Sequence, residues 1–84
     1  MSLDLQIKRE ITRSVRNYSY QGHPIYLLGI PVSELPDTLD YLKRQVSSIH
    51  HVGIIISKSV IKCRYIHGVN HYFVDLFIDL EMPF

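Results

Sequence analysis

The sequence predicts an α+β fold, in which one or two helices pack on one face of a mostly antiparallel sheet of about four strands. Two observations support this class. One segment repeats its apolar residues at helical spacing, and the second half of the chain is rich in β-branched and aromatic residues. Because a chain of 84 residues has room for one hydrophobic core, we expect a single small domain spanning residues 1–84.

The clearest predicted element is a helix over residues 34–48. Ser33 is a candidate N-cap, and Pro36 falls in the first turn, where its missing N–H costs nothing. Acidic residues come early in this segment and basic residues late, which suits the helix dipole. The apolar stripe that defines the helix is formed at spacings of three and four by Leu35, Leu39, Leu42, Val46 and Ile49.

A β-hairpin is predicted from residues 59–66 and 71–80, joined by a turn over residues 67–70 that contains Gly and Asn. Closing this turn between Ile66 and His71 places Lys62 opposite Asp75. One face of the hairpin is then wholly apolar, and the other mixes charged with aromatic residues. The spacing of His71, Asp75 and Asp79 also fits one face of a helix, but the β-branched content favours a strand.

Two further strands are expected at residues 52–57, as a buried and central strand, and at residues 24–30. Residues 4–16 are ambiguous, because Ile7, Ile11 and Val15 have helical spacing whereas the first residues of the segment alternate as in a strand. A helix is the preferred interpretation. The helices would then cover one sheet face and leave the charged and aromatic face open.

Composition excludes several classes of protein. No apolar run approaches the roughly 20 residues that a membrane-spanning helix needs. Cys63 is the only cysteine, so an intramolecular disulfide is impossible. The N-terminus shows no secretory signal pattern. These features together favour the cytoplasm. The net charge is only +1, with a basic middle segment and an acidic tail that we expect to pair with each other.

Catalysis and metal binding have little support in the sequence. The chain has five histidines, but four ligands cannot be assembled around a tetrahedral zinc ion from their spacing. The serines lie in no nucleophile pattern, and the pair His71 and Asp75 has no partner nucleophile. The scattered glycines form no phosphate loop. We therefore expect neither an enzyme nor a bound cofactor or metal.

The first functional hypothesis is a protein-interaction or regulatory module that associates with itself, as a homodimer, or with another protein. An open aromatic sheet face on a chain this small is normally covered by something, and a second copy adds core area. The expected interaction face comprises Val60, Phe73 and Phe77 on the sheet and Leu39, Leu42 and Val46 on the helix.

The alternative hypothesis is a small nucleic-acid-binding regulator. Basic and aromatic residues interleave near the N-terminus, as contact with a phosphate backbone and stacking on bases would require. Against this, the sequence pI of about 7.9 is modest for a dedicated nucleic-acid-binding domain. The candidate contacts are Arg9, Arg13 and Arg16 on the predicted N-terminal helix and Lys58, Lys62 and Arg64 on the hairpin.

Overall fold

The computed structural model describes residues 4–18 and 24–81, which form two helices and a three-stranded antiparallel sheet. A short 3-10 turn, Val32–Glu34, precedes the second helix. The α+β class is therefore confirmed, with three strands among the described residues where about four were expected. In chain order the elements are α1 (Leu5–Arg16), β1 (Ile25–Pro31), α2 (Leu35–His50), β2 (Ile54–Ile66) and β3 (Val69–Leu80).

The first helix, α1, begins at an aspartate cap. The Asp4 carboxylate accepts a hydrogen bond from the backbone N–H of Gln6 at 2.8 Å, which satisfies one of the free donors of the first turn. Ile11 and Val15 lie one turn apart and are completely buried. The helical interpretation of residues 4–16 is thus confirmed, because helical spacing aligns these two side chains on one buried face.

The second helix, α2, starts and ends close to the expected residues, but its N-cap differs from the prediction. Ser33 lies in the 3-10 turn, and Glu34 occupies the cap position without a side-chain hydrogen bond. Pro36 is in the first turn, as expected. His51 ends the helix in the left-handed conformation at φ 60°. Among residues 4–18 and 24–81, no helix is both long and apolar enough to cross a membrane.

The sheet has the order β1-β3-β2, and β3 runs antiparallel to both of its neighbours. Residues 52–57, expected as a separate central strand, instead lead into the edge strand β2, which continues without a break to Ile66. A β-bulge between Ile56 and Lys58 absorbs the polar residue Ser57, whose hydroxyl donates to the Phe77 carbonyl at 2.9 Å. One bulged strand therefore replaces the two predicted strands.

The hairpin between β2 and β3 closes two residues earlier than predicted. His67 and Gly68 form a two-residue turn with φ values of 50° and 78°, and Ile66 pairs with Val69. Positive φ at both positions is the geometry that matches the twist of two antiparallel strands. The predicted pairing of Ile66 with His71 is wrong by two residues, but this shift leaves every side chain on its predicted face, because the side-chain period of a strand is two.

The core lies between the helices and one face of the sheet. α1 and α2 pack on each other and on the sheet, so the buried set comes from both helices, β1 and β3. None of its members lies on β2. The core consists of Ile11, Val15, Ile25, Leu27, Ile30, Leu42, Val46, Val74, Leu76, Ile78 and Leu80.

One buried hydroxyl in the core has no hydrogen-bond partner among the described residues, that of Thr38 on α2. Burying an unpaired hydroxyl costs about 1–3 kcal/mol, so we expect Thr38→Val to raise the free energy of unfolding by about 1 kcal/mol in urea denaturation. Thr12→Val is the matched control. The Thr12 hydroxyl lies 3.0 Å from the Tyr41 hydroxyl, so its loss should destabilise the protein. If both substitutions changed the free energy of unfolding equally, the Thr38 hydroxyl could not be the unpaired one.

Candidate interaction surfaces

The most exposed apolar surface lies on the far part of the β2–β3 hairpin, residues 58–73, which we call the arm. The 13 residues of β2 span about 43 Å, whereas the 16 residues of α2 span about 24 Å, so the helix is too short to cover the strand. Val74 is buried beneath the helices, and Ile61 faces it across the ladder. Four neighbouring side chains on this side form the apolar arm face: Ile61, Cys63, Tyr65 and Tyr72.

The apolar arm face is open to solvent in the part of the chain that the structure describes. Ile61 is 71% exposed, Tyr65 is 74% exposed and Tyr72 is 52% exposed. Cys63 is also exposed and carries a free thiol. The sequence pattern indicated that these side chains share an apolar face, but they lie beyond the helices that were expected to cover that face.

The opposite side of the sheet carries the residues expected to form an interaction face, Val60, Phe73 and Phe77. All three are half-buried. The Tyr26 ring packs edge-on against Phe77 with 5.0 Å between ring centroids, and the Lys58 ammonium lies 5.7 Å from the centre of the same ring. Neighbouring side chains of the same chain therefore already cover part of this face.

The helix residues assigned to the same interaction face lie elsewhere. Leu42 and Val46 are completely buried in the core, and Leu39 is partly buried against it. Their apolar stripe on α2 packs onto the sheet and α1. The stripe was expected to face a partner, whereas in the structure it faces the core of its own chain. One apolar stripe cannot cover both that core and a second molecule.

Asp75 is the most buried charged residue among those described, with 6% of its surface exposed. One carboxylate oxygen accepts the backbone N–H of Gly29 at 2.8 Å, and the other lies 2.6 Å from the Lys62 ammonium. Gly29 has φ 69° at a bulge in β1, which aims its N–H at the carboxylate. The hydrogen bonds from Lys62 and Gly29 lower the pKa of Asp75 below its usual value of 3.8, although burial opposes them.

This lowered pKa predicts how acid affects stability. An ionised Asp75 stabilises the fold at every pH above about 4, and the contribution is lost as the pH falls through the lower folded-state pKa. We expect Asp75→Asn to be less stable than the parent at neutral pH. The difference should shrink as the pH falls below about 4. Thermal unfolding between neutral pH and acid measures this, and a difference that stays constant with pH would contradict it.

The six basic residues proposed for nucleic-acid binding separate into two groups on opposite sides of the sheet. Arg9, Arg13 and Arg16 lie on α1, whose buried face packs on the core. The second group, Lys58, Lys62 and Arg64, lies on the sheet face away from the helices, where Lys62 pairs with Asp75. The sheet separates the two groups, so they cannot form one continuous surface.

The histidines were weighed as metal ligands, and His71 with Asp75 as a general-base pair. In residues 4–18 and 24–81, no group of three or more histidine, cysteine and acidic side chains is arranged to hold a metal ion. His71 lies opposite Arg64 at the exposed end of the hairpin. The oxygens of Asp75 are engaged by Gly29 and Lys62, so Asp75 is not placed to orient His71 as a general base.

Comparison with protein-family models, with curated proteins and with solved structures finds no match to this chain. Its function is therefore inferred from its own surfaces.

Proposed function

We propose that this chain is a self-associating protein-interaction module, whose dimer forms when the apolar arm face of one copy packs against the same face of a second copy. The observation that carries this proposal is the exposure of Ile61, Tyr65 and Tyr72 on a part of the sheet that no described helix covers. Such a contact is isologous, because both copies use the same residues.

The distribution of charge supports a second copy as the partner. The apolar arm face contains no charged residue, so two copies can meet there without repulsion. The other side of the arm carries Lys58, Lys62 and Arg64. Pairing two β2 edges in antiparallel fashion about Val60, the middle residue of the strand, would place Lys58 opposite Lys62 of the other copy, and like charges directly opposite one another are destabilising. Face-to-face packing avoids that contact.

Layer geometry also supports this arrangement. Stacked sheets lie about 10 Å apart, and an α-helix with its side chains is about 10–12 Å wide. A partner arm lying on the apolar arm face would therefore occupy the same layer as α1 and α2. It would cover the part of this sheet face that the helices leave exposed.

The exposed area predicts a dimer of moderate affinity. An aromatic side chain buries about 150–250 Å², so the exposed fractions of Tyr65 and Tyr72 correspond to roughly 200–300 Å². A standard interface buries about 800 Å² on each partner. Ile61, Cys63 and neighbouring residues must supply the rest, so the interface is small and we expect weak association, with a dissociation constant on the order of micromolar. An exposed free thiol at this face suits a reducing compartment, so the cytoplasm is part of the proposal.

Light scattering across a concentration series tests the oligomeric state, and Cys63 reports the geometry. In the proposed dimer the two Cys63 thiols face each other, so a short bifunctional maleimide is expected to join two chains. The control is the double variant Cys63→Ser with Ile55→Cys, which moves the single thiol to the opposite sheet face and should not cross-link. A chain that stays monomeric far above micromolar concentration, or a dimer that cross-links only through the control position, contradicts the proposal.

A further inference from the structure

A second surface, independent of the arm, is formed by the outward side of α1. Lys8, Arg9, Arg13 and Arg16 line one shallow groove of about 390 Å³ between α1 and α2. Thr12, Asn17 and Tyr41 also border it, and none of the described residues that line the groove carries a carboxylate. Four positive charges therefore surround one concave surface, and the described part of its walls holds no neutralising group.

The charges of this groove are not used in ion pairs within the described part of the chain. The two ion pairs there join Arg44 to Asp40 and Lys62 to Asp75. Arg13 and Arg16 lie in the last turn of α1, where the helix dipole favours them. Arg9 lies one turn before Arg13, and like charges at this spacing destabilise a helix. Helix stability accordingly does not explain the complete set.

The side wall of the groove is held in place by Tyr41 on α2. Its hydroxyl lies 3.0 Å from the Thr12 hydroxyl, and the Lys8 ammonium lies 5.8 Å from the centre of its ring. Tyr41 is half-buried and packs against the core, so it fixes the spacing of the two helices at this point. Its ring is not free to stack on a base.

We propose that this groove binds the phosphodiester backbone of a nucleic acid, through contacts to phosphate and without reading base sequence. Arg9 and Arg16 are separated by about 10 Å along the helix axis. Successive phosphates of one strand rise about 3.4 Å each, so this row of cations spans about three such steps, which is the length of four phosphates. The basic residues of the arm belong to the other side of the sheet and take no part in this contact.

Salt dependence gives the sharpest measurement. Fluorescence anisotropy is read with a labelled DNA duplex of mixed sequence, its single strand and an RNA hairpin, at about 50 and 200 mM salt. If all four cations contact phosphates, the logarithm of the binding constant should fall with a slope of about −3.6 against the logarithm of salt for the duplex and about −2.8 for the single strand. Shuffling the base sequence should leave the affinity unchanged.

Matched charge variants locate the contact. Arg9→Gln, Arg13→Gln and Arg16→Gln together remove three positive charges from the groove and should reduce the slope to about −1. Lys43→Gln, Lys58→Gln and Arg64→Gln remove the same charge outside the groove and should leave affinity and slope nearly unchanged. Circular dichroism confirms that both variants remain helical.

Three outcomes would overturn the proposal. Equal loss in the two triple variants would mean that net charge alone attracts the nucleic acid. Absence of binding at about 50 mM salt would exclude the groove as a phosphate site. Binding of the protein to vesicles of anionic lipid, with none to nucleic acid, would assign the groove to a membrane surface. The vesicle measurement is repeated with the Ile61→Lys variant, which alters the arm and leaves the groove intact. Unchanged vesicle binding would show that it does not depend on self-association through the arm.

Discussion

Leu42→Ala is expected to lower the free energy of unfolding by about 2–5 kcal/mol. Leu42 is completely buried between α2 and the rest of the core, so its truncation removes apolar contacts and leaves a cavity that the surrounding residues fill only in part. For a chain of 84 residues the whole free energy of unfolding is about 4–13 kcal/mol. This one substitution is therefore expected to remove a large part of the stability, measured by urea denaturation.

Leu5→Ala is the matched control for Leu42→Ala. It makes the same chemical change on a helix, at a side chain that is 60% exposed, and should alter the free energy of unfolding by no more than about 0.5 kcal/mol. This comparison also separates the two roles considered for Leu42. If Leu42→Ala weakened dimerisation while the stability of the chain stayed unchanged, Leu42 would belong to an interface and its place in the core would be wrong.

Ile61→Lys is expected to weaken self-association at least 100-fold. Ile61 is 71% exposed at the end of the apolar arm face nearest the core, so lysine at this position is compatible with the folded chain. In the proposed dimer it would place an ammonium group between two packed sheets, where burial of an unpaired charge costs several kcal/mol. Sedimentation equilibrium measures the dissociation constant, and denaturation of the monomer shows whether the fold is retained.

Ile55→Lys tests the same chemistry on the other side of the same strand. Ile55 is 49% exposed and lies opposite Asp79, which can accommodate a lysine. This control should leave the dissociation constant within a factor of about three of the parent, since surface substitutions usually change a free energy by less than about 0.5 kcal/mol. The reverse pattern would assign the interface to the sheet face that carries Val60, Phe73 and Phe77.

The helices were predictable from sequence because their signals are local. The spacing of Ile7, Ile11 and Val15 depends only on the helical repeat, and the structure places α1 where that repeat indicates. The faces of the hairpin were predictable for a similar reason. An error of two residues in the register preserves the alternation, so Lys62 still reaches Asp75.

The edges of the sheet and the turn were not predictable in the same way. His67 adopts positive φ, which is uncommon for a residue other than glycine, and the shorter turn follows from it. The polar residues around Ser57 resembled the end of a strand, whereas a bulge carries β2 through them. The prediction divided β2 at that point, so the full length of the strand could not be recognised. The part of β2 that the helices leave uncovered could not be recognised either. Which strand lies at an edge depends on contacts between distant parts of the chain.

The central position of β3 has a consequence for the order of folding. β1 and β2 hydrogen-bond only to β3 within the sheet, and β3 follows both of them along the chain. The contact between Gly29 and Asp75 joins residues 46 positions apart, so bringing β1 to β3 costs the chain entropy of closing a long loop. The β2–β3 hairpin, closed by two residues, can form in microseconds on its own. We therefore expect docking of β1 onto that hairpin to be slower than formation of the hairpin itself.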